Sequence, residues 1–433
     1  MLNLSKYLYT FERDGRYFLY APLSNSFAEL DGDVYKVIIS AKEDSSNLNS
    51  LDEETVGLLR KMKVVDVDEK LEINRYKTNM LLRRFNNSHM SLTINPTLAC
   101  NFACPYCFES SHKPIFMTDK VEDEIIAFVK KRTSLTNLNV MWFGGEPLLA
   151  FDRIVSLSKR MLGLGLGYKA GMITNGYLLT PDKASQFEDL KISFVQITID
   201  GSEKTHDSRR YRKDGSGTYQ TILSNIDEAQ KCSPNTTISV RVNVDKTNSN
   251  EFFEVFDYFQ DKNYPNVSVY PAFVSEISED KHNSCVYDDN AIAAFLVEVY
   301  KKRNYCSKCL YPSNTVHVCG IRNPNVVVIG PMGELYKCWN DVGDFSRSYG
   351  NIDGRMTNEA VLYEYMVEAD YLNDPQCNDC IFFTTCDGGC PYRRIQNEKA
   401  GRAQGTCSLF KEHTEDFLML RYDYRKRQDN HKN

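Results

Sequence analysis

Ten of the fourteen cysteines in this 433-residue chain stand in two ordered arrays, and these restrict the fold more than any other feature. The first is Cys100-Asn101-Phe102-Ala103-Cys104-Pro105-Tyr106-Cys107. The second begins at Cys319, passes through Gly333 to Cys338, and continues with Cys377, Cys380, Cys386, Cys390 and Cys407. Thiolates bunched in this way in a long chain suit iron–sulfur clusters, with zinc the alternative for paired spacings. The charge balance, 52 Lys and Arg against 58 Asp and Glu for a net −6, offers no basic excess to neutralise phosphates and argues against a nucleic-acid partner. No run approaches the ~20 apolar residues of a membrane span, and the first residues carry no charged-then-apolar signal segment. The chain therefore reads as cytoplasmic, where thiols stay reduced and hold metal in preference to forming disulfides.

The length suggests roughly three domains. In residues 1–85, Tyr7, Tyr9 and Phe11 alternate with other side chains, Asp14-Gly15 supplies a tight turn, and Tyr17 to Tyr20 follow, which is a β-hairpin pattern. A third strand is expected at 26–30, helices through Val34, Val37 and Ile38 and through Val56, Leu59 and Met62, and a closing strand at 64–67. This reads as a winged-helix-like binding module, or else as an N-terminal cap without a ligand. In residues 86–304 apolar strands are expected at 90–95, 138–143, 169–174, 193–200, 237–244 and 266–272, with helices between them. One helix starts at Thr118, a suitable N-cap, with Val121, Ile125 and Phe128 on one face. Strands and helices alternating in this way imply an α/β fold, a parallel sheet curling into a partial (β/α)6 barrel whose sites lie at the C-terminal strand ends. Residues 305–410 lose periodicity and read as a loop-rich lobe organised by metal. Residues 411–433 read as a helix and a tail frayed from Arg425.

Three cysteines spaced x3 and x2 on a loop can grip three irons of a cubane cluster and leave the fourth iron without a protein ligand. A molecule that chelates through an amine and a carboxylate can take that corner. The Cys100–Cys104–Cys107 loop after a first strand, with Tyr106 before its last cysteine, resembles the signature of the radical SAM enzymes. The resemblance implies that Cys100, Cys104 and Cys107 hold a [4Fe–4S] cluster to which S-adenosylmethionine (SAM) binds. One electron then cleaves the C–S bond and releases a 5′-deoxyadenosyl radical that abstracts hydrogen. It also implies SAM contacts. Tyr106 would lie near the adenine. Gly144, Gly145, Glu146 and Pro147 would receive the amino group, with Glu146 offering charge. Asn175, in Thr174-Asn175-Gly176, and Asp200, before Gly201, follow the third and fourth strands, and Asp200 would face the ribose. Arg210 would pair with the carboxylate, with Arg209 as its alternate, and Asn243 would be a further contact.

The second array resembles the SPASM extension of that family, a loop-rich domain that carries two auxiliary [4Fe–4S] clusters, for three in all. The resemblance gives Cys319, Cys338 and Cys390 to the first auxiliary cluster, and Cys377, Cys380, Cys386 and Cys407 to the second. Cys309, or else Cys306, is left to complete the first, or its fourth iron stays open. A pair of zinc sites is the competing reading. Cys232 reads as structural and Cys285 is unassigned.

SPASM enzymes act on peptides or proteins, and the N-terminal pattern resembles the module that binds a precursor's leader peptide as an added strand. The joint implication is a maturase that crosslinks a ribosomally synthesised precursor peptide through a thioether or C–C bond, supplied with electrons by a flavodoxin or ferredoxin. The alternative is an anaerobic sulfatase-maturing enzyme. Those usually carry Asp directly after the cysteine of the Gly-x4-Cys segment; here Trp339 follows Cys338, and Asp341 is the displaced base candidate. A non-catalytic electron-relay or peptide-binding protein is the alternative of another class.

Overall fold

The computed structural model describes the chain apart from residues 1, 108, 110–112, 275–285, 306–311, 313–318, 402–404 and 431–433, so Cys285, Cys306 and Cys309 lie outside the described residues. By contacts the chain forms two compact units. One comprises Met1–Phe85, Asp289–Arg322 and Tyr365–Asn433; the other comprises Asn86–Asp288 and Asn323–Glu364.

The first unit opens with strands β1 (Tyr9–Arg13), β2 (Arg16–Ala21) and β3 (Ser26–Leu30), an antiparallel sheet in the order β1-β2-β3. Arg13 pairs with Arg16 across the hairpin end, and Asp14 and Gly15 both have positive φ, 54° and 69°, as a two-residue turn matching strand twist requires. Helices Gly32–Ala41 and Glu53–Lys61 follow, each started by an aspartate (Asp31, Asp52) that accepts a first-turn N–H. Their Ile38, Val56 and Leu59 bury against Leu19, Ala21, Val64 and Val65. The strand expected at 64–67 is only a bridge between Val65 and Leu4. The last helix, Thr414–Asn430, continues where fraying was expected from Arg425. It lies against the sheet: the Tyr9 hydroxyl donates to Glu415 at 3.0 Å, and Arg13 pairs with Asp416 at 2.9 Å.

The second unit holds β4 (His89–Ile94), β5 (Asn137–Trp142), β6 (Gly167–Thr174), β7 (Ile192–Thr198), β8 (Thr237–Val244), β9 (Val267–Phe273), β10 (Val326–Ile329), β11 (Glu334–Tyr336) and β12 (Gly350–Asn351). They form one sheet in the order β12-β11-β10-β4-β5-β6-β7-β8-β9. Strands β4 to β9 pair in parallel with their sequence neighbours, the α/β partial-barrel arrangement expected from the strand–helix alternation. Strand β10 was not expected. It adds in parallel to the free edge of β4, and β11 and β12 continue antiparallel. Buried residues alternate along the strands, as in Met90, Leu92 and Ile94 and again in Leu138, Val140 and Trp142. Helix Asp119–Lys130 begins where Thr118 accepts from the Val121 N–H, and buries Val121, Ile125 and Val129.

Candidate functional site

The cysteine loop leaves the C-terminal end of β4 and is gripped on two sides. On one side, the Gly145 N–H donates to Thr97 O at 3.2 Å and the Glu146 N–H to Ala99 O at 2.8 Å. The two backbones come so close that a Cβ on Gly144 would sit 2.4 Å from Thr97 O, and one on Gly145 2.3 Å from Ala99 O. Only glycine fits at either place. On the other side, the Ala103 N–H donates to Tyr211 O at 2.9 Å, and Phe102 bridges to Arg212.

Glu146 is fully buried. One carboxylate oxygen accepts from the Leu148 N–H at 2.9 Å and the Thr174 hydroxyl at 2.7 Å; the other accepts from the Asn175 N–H at 2.7 Å. Burial pushes its carboxyl up, and these donors pull it back. Its charge is thus engaged in fixing the ends of β5 and β6 to one another. Pro147 opens the short helical turn Pro147–Ala150. Asn175 reaches back to the cysteine loop, its amide donating to Asn101 Oδ1 at 2.8 Å.

The residues expected around SAM converge past the loop. The Tyr106 hydroxyl bonds Asp200 Oδ2, accepts from Arg210 Nη1 at 2.8 Å, and has Asn243 Nδ2 at 3.4 Å. The Asn243 N–H donates to the other Asp200 oxygen at 3.1 Å. Arg209 closes the group from another side: it pairs with Asp245 at 2.9 Å, has Nε 3.5 Å from Asp200 Oδ2, and lies over the Tyr106 ring at 5.1 Å, so both adjacent arginines face Tyr106 and Asp200. Burial pushes the Tyr106 phenol up.

Three residues absent from the sequence reading hold this group in place. Asn248 donates to Asp200 O at 2.8 Å and to Asn243 O at 3.0 Å. The Asp200 N–H donates to His206 Nδ1 at 3.2 Å, His206 Nε2 meets the Thr218 hydroxyl at 3.1 Å, and that hydroxyl donates to Arg210 O at 2.6 Å. Nδ1 must accept, so the ring is neutral with its proton on Nε2; burial, with Arg210 and Arg209 nearby, moves it well below the ordinary histidine range. The only local signal was that His206 shares the His206-Asp207-Ser208-Arg209-Arg210 stretch with the expected arginine.

The residues fit a thiolate-held cluster with a small chelating ligand beside it. Cys100 is buried, and burial pushes its thiol up to about 12 and that of Cys107 up to about 11, with neighbouring thiols adding to the shift. Cys104 is raised by burial and pulled back by Arg210. Sulfurs so enclosed need a cation to carry charge. Buried Arg210 Nε and Asn101 Nδ2 have no hydrogen-bond partner in the chain, which leaves donors for a carboxylate or an amide-accepting ligand. Among the described residues no three His, Cys, Asp or Glu side chains converge on a single ion; a cubane is wider than an ion, and its thiolates stand correspondingly apart.

In the first unit, Cys377, Cys380, Cys386 and Cys407 line a single cavity of about 130 Å³. Cys319 and Cys390 are exposed, and their charges are close enough to interact. In the second unit Cys338 is buried after β11, and Asp341, also buried, lies 3.5 Å from Arg347. Cys232 is half-buried at the end of helix Tyr219–Cys232.

Residues 94–270 match the family profile of the radical SAM superfamily. Among curated proteins, the chain is 22% identical over 178 residues to Fe-coproporphyrin III synthase of Methanosarcina barkeri, covering 41% of this chain and 42% of that protein. It is 25% identical over 170 residues to the sporulation killing factor maturation protein SkfB of Bacillus subtilis, covering 39% of each. The chain thus spans about two fifths of the length of these relatives. Among solved structures, anSMEcpe with bound AdoMet and the Cp18Cys peptide aligns with a TM-score of 0.60 at 20% identity, covering 80% of this chain and 100% of that one. Streptococcus suis SuiB bound to its precursor peptide SuiA aligns with a TM-score of 0.53 at 15% identity, covering 92% and 97%. Both share the fold. No helix among the described residues is long and apolar enough to cross a membrane. A cysteine loop docked on paired glycines at the end of a parallel α/β sheet, together with the matching profile, makes residues 94–270 a radical SAM domain, a family that implies a [4Fe–4S] cluster and SAM.

Proposed function

We propose that this protein is a radical SAM peptide maturase, which binds a ribosomally made precursor peptide and installs a crosslink in it. The observation that carries the reading is the enclosed group of Tyr106, Asp200, Arg210 and Asn243 beside the Cys100–Cys107 loop. Cys100, Cys104 and Cys107 would hold the cluster, and Arg210, with its unpartnered Nε, would take the SAM carboxylate. Bound there, the cluster and SAM supply reductive cleavage to a 5′-deoxyadenosyl radical. The chain's own part is to orient and to exclude water. Tyr106 and Asp200 define one wall, Asn248 and the His206–Thr218 relay keep that wall fixed, and Gly144 and Gly145 hold the cysteine loop against the sheet.

The peptide substrate is supported by fold likeness to SuiB, solved with its precursor peptide, and by sequence similarity to SkfB. Residues 1–85 supply a sheet whose edge strand β3 can accept an added strand, which suits leader binding. The segments 86–304, 305–410 and 411–433 are proposed as radical SAM, auxiliary-cluster and terminal-helix regions. Formylglycine formation is disfavoured, because Trp339 follows Cys338 and Asp341 is engaged by Arg347.

The test is anaerobic reconstitution with iron and sulfide, followed by reduction with SAM and quantification of 5′-deoxyadenosine. Wild type should release it, and Cys104→Ala should not. With the cognate peptide, mass spectrometry should show loss of two hydrogens per crosslink. Intact clusters without 5′-deoxyadenosine would favour an electron-relay protein instead.

A further inference from the structure

Three of the four sulfurs around the 130 Å³ cavity receive an N–H donor from the chain. Arg394 Nη2 donates to Cys377 Sγ at 3.2 Å, Lys411 Nζ to Cys407 Sγ at 3.7 Å, and the Gly388 N–H to Cys386 Sγ at 3.4 Å. Arg394 cannot swing away: its Nε donates to Gly388 O at 2.9 Å and its Nη1 to Asp374 at 2.5 Å. Gly388 is fixed as well. Its φ is +75°, and a Cβ would sit 2.2 Å from Tyr371. A Cβ on Gly389 would sit 1.6 Å from Thr406 O, so the glycine pair is what lets the Cys407 segment close on the cavity. Two side-chain cations, Arg394 and Lys411, thus donate to the sulfurs among two carboxylates, Asp374 at 3.5 Å from Cys377 Sγ and Asp387 beside Cys386, so removing either cation leaves the carboxylates in excess there.

A cubane ligated by thiolates carries negative charge that grows by one on reduction. N–H donors to sulfur and adjacent cations favour the more negative form and raise the reduction potential. Four thiolates leave no iron open, so electron exchange is the chemistry left to such a site. We propose that Arg394 and Lys411 raise the potential of the cluster held by Cys377, Cys380, Cys386 and Cys407 above the value that cluster would have without them. Arg394 carries the larger share, since its contact is shorter and less exposed to salt and solvent than that of Lys411. The inference rests on the reading that this array holds an iron–sulfur cluster.

The experiment is a redox titration of the full-length reconstituted protein followed by EPR, with iron and sulfide measured on each sample. Arg394→Gln and Lys411→Met should shift one midpoint potential negative, Arg394→Gln further, with iron content unchanged; Lys411→Arg should keep the wild-type value. Should Arg394→Gln not fold, Lys411→Met decides alone, because Lys411 is exposed. Wild-type potentials in the charge-removing variants that fold, at full iron content, overturn the inference while leaving the cluster assignment intact. If instead the protein with Cys377, Cys380, Cys386 and Cys407 all replaced by alanine binds as much iron and sulfide as wild type, the array holds no cluster there, and both the assignment and the inference fall.

Discussion

At the scale of single residues, the Gly144-Gly145-Glu146-Pro147 stretch does structural work beyond the ligand contact expected of it. Glu146 was expected to offer charge to the site, and its oxygens also accept from Leu148, Thr174 and Asn175, which ties the strand ends together. The glycines act by docking the cysteine loop. Gly145→Ala puts a methyl against backbone atoms that have no side-chain freedom to yield. We expect it to displace Cys100 and lower 5′-deoxyadenosine formation by about 100-fold, as small misplacements at reacting centres do, with iron content also reduced; wild-type rates would contradict the docking role. His206 gives a pH signature. Its folded pKa lies below the ordinary value of about 6.5, so its contribution to stability is complete above that pH and is lost as pH falls below it, because the unfolded chain takes up the proton and the buried ring does not. Thermal melts should therefore weaken between about pH 7 and pH 5, and His206→Gln should flatten that slope. An unchanged slope would mean that the ring titrates freely. Neither Asn248 nor Thr218 was legible in the sequence, because a lone Asn or Thr carries no pattern; their value comes from the backbone carbonyls they find once the loops are folded.

At the scale of elements, the strands of the radical SAM domain were legible because each is an apolar run bounded by a helix with its own period. All six expected strands from 90–95 to 266–272 appear within a few residues of those bounds. The hairpin was legible for the same local reason, since Asp14-Gly15 permits two consecutive positive φ values. Strand β10 was not. Its four residues stand in a stretch without helical neighbours, and its partner β4 lies far back along the chain: Asn95 Nδ2 donates to Ile329 O across 234 residues, at 2.9 Å. That bond ties the start of the cysteine loop to β10, so the edge strand supports the site at a distance. Ile329 is fully buried, and Ile329→Ala should cost about 2–5 kcal/mol, read as a lowered denaturation midpoint. A cost near zero would mean that β10 is not packed as described.

At the scale of the whole molecule, the cysteine arrays made the family legible before any fold was in hand, whereas the grouping of segments was not. Residues 1–85 join 289–322 and 365–433 in one unit, and part of that grouping rests on a buried charge cluster with no local signature. Arg84 bonds Asp370 at 2.6 and 3.1 Å, both side chains about 5% exposed or less. Arg322, fully buried, donates to Ala369 O at 2.9 Å and lies 3.7 Å from Asp370. Asp370→Ala would strand two buried guanidinium groups and should destabilise this unit by about 3–5 kcal/mol; a loss under about 1 kcal/mol, the range of surface pairs, would show that the pair is solvated. The central claim concerns the other array. Its most direct test is EPR of the dithionite-reduced protein in which the second-array cysteines are replaced by alanine, recorded with and without SAM. The account predicts a single [4Fe–4S] signal that changes on SAM addition and disappears in Cys104→Ala. A cluster signal indifferent to SAM, or no cluster bound by Cys100, Cys104 and Cys107, would contradict it.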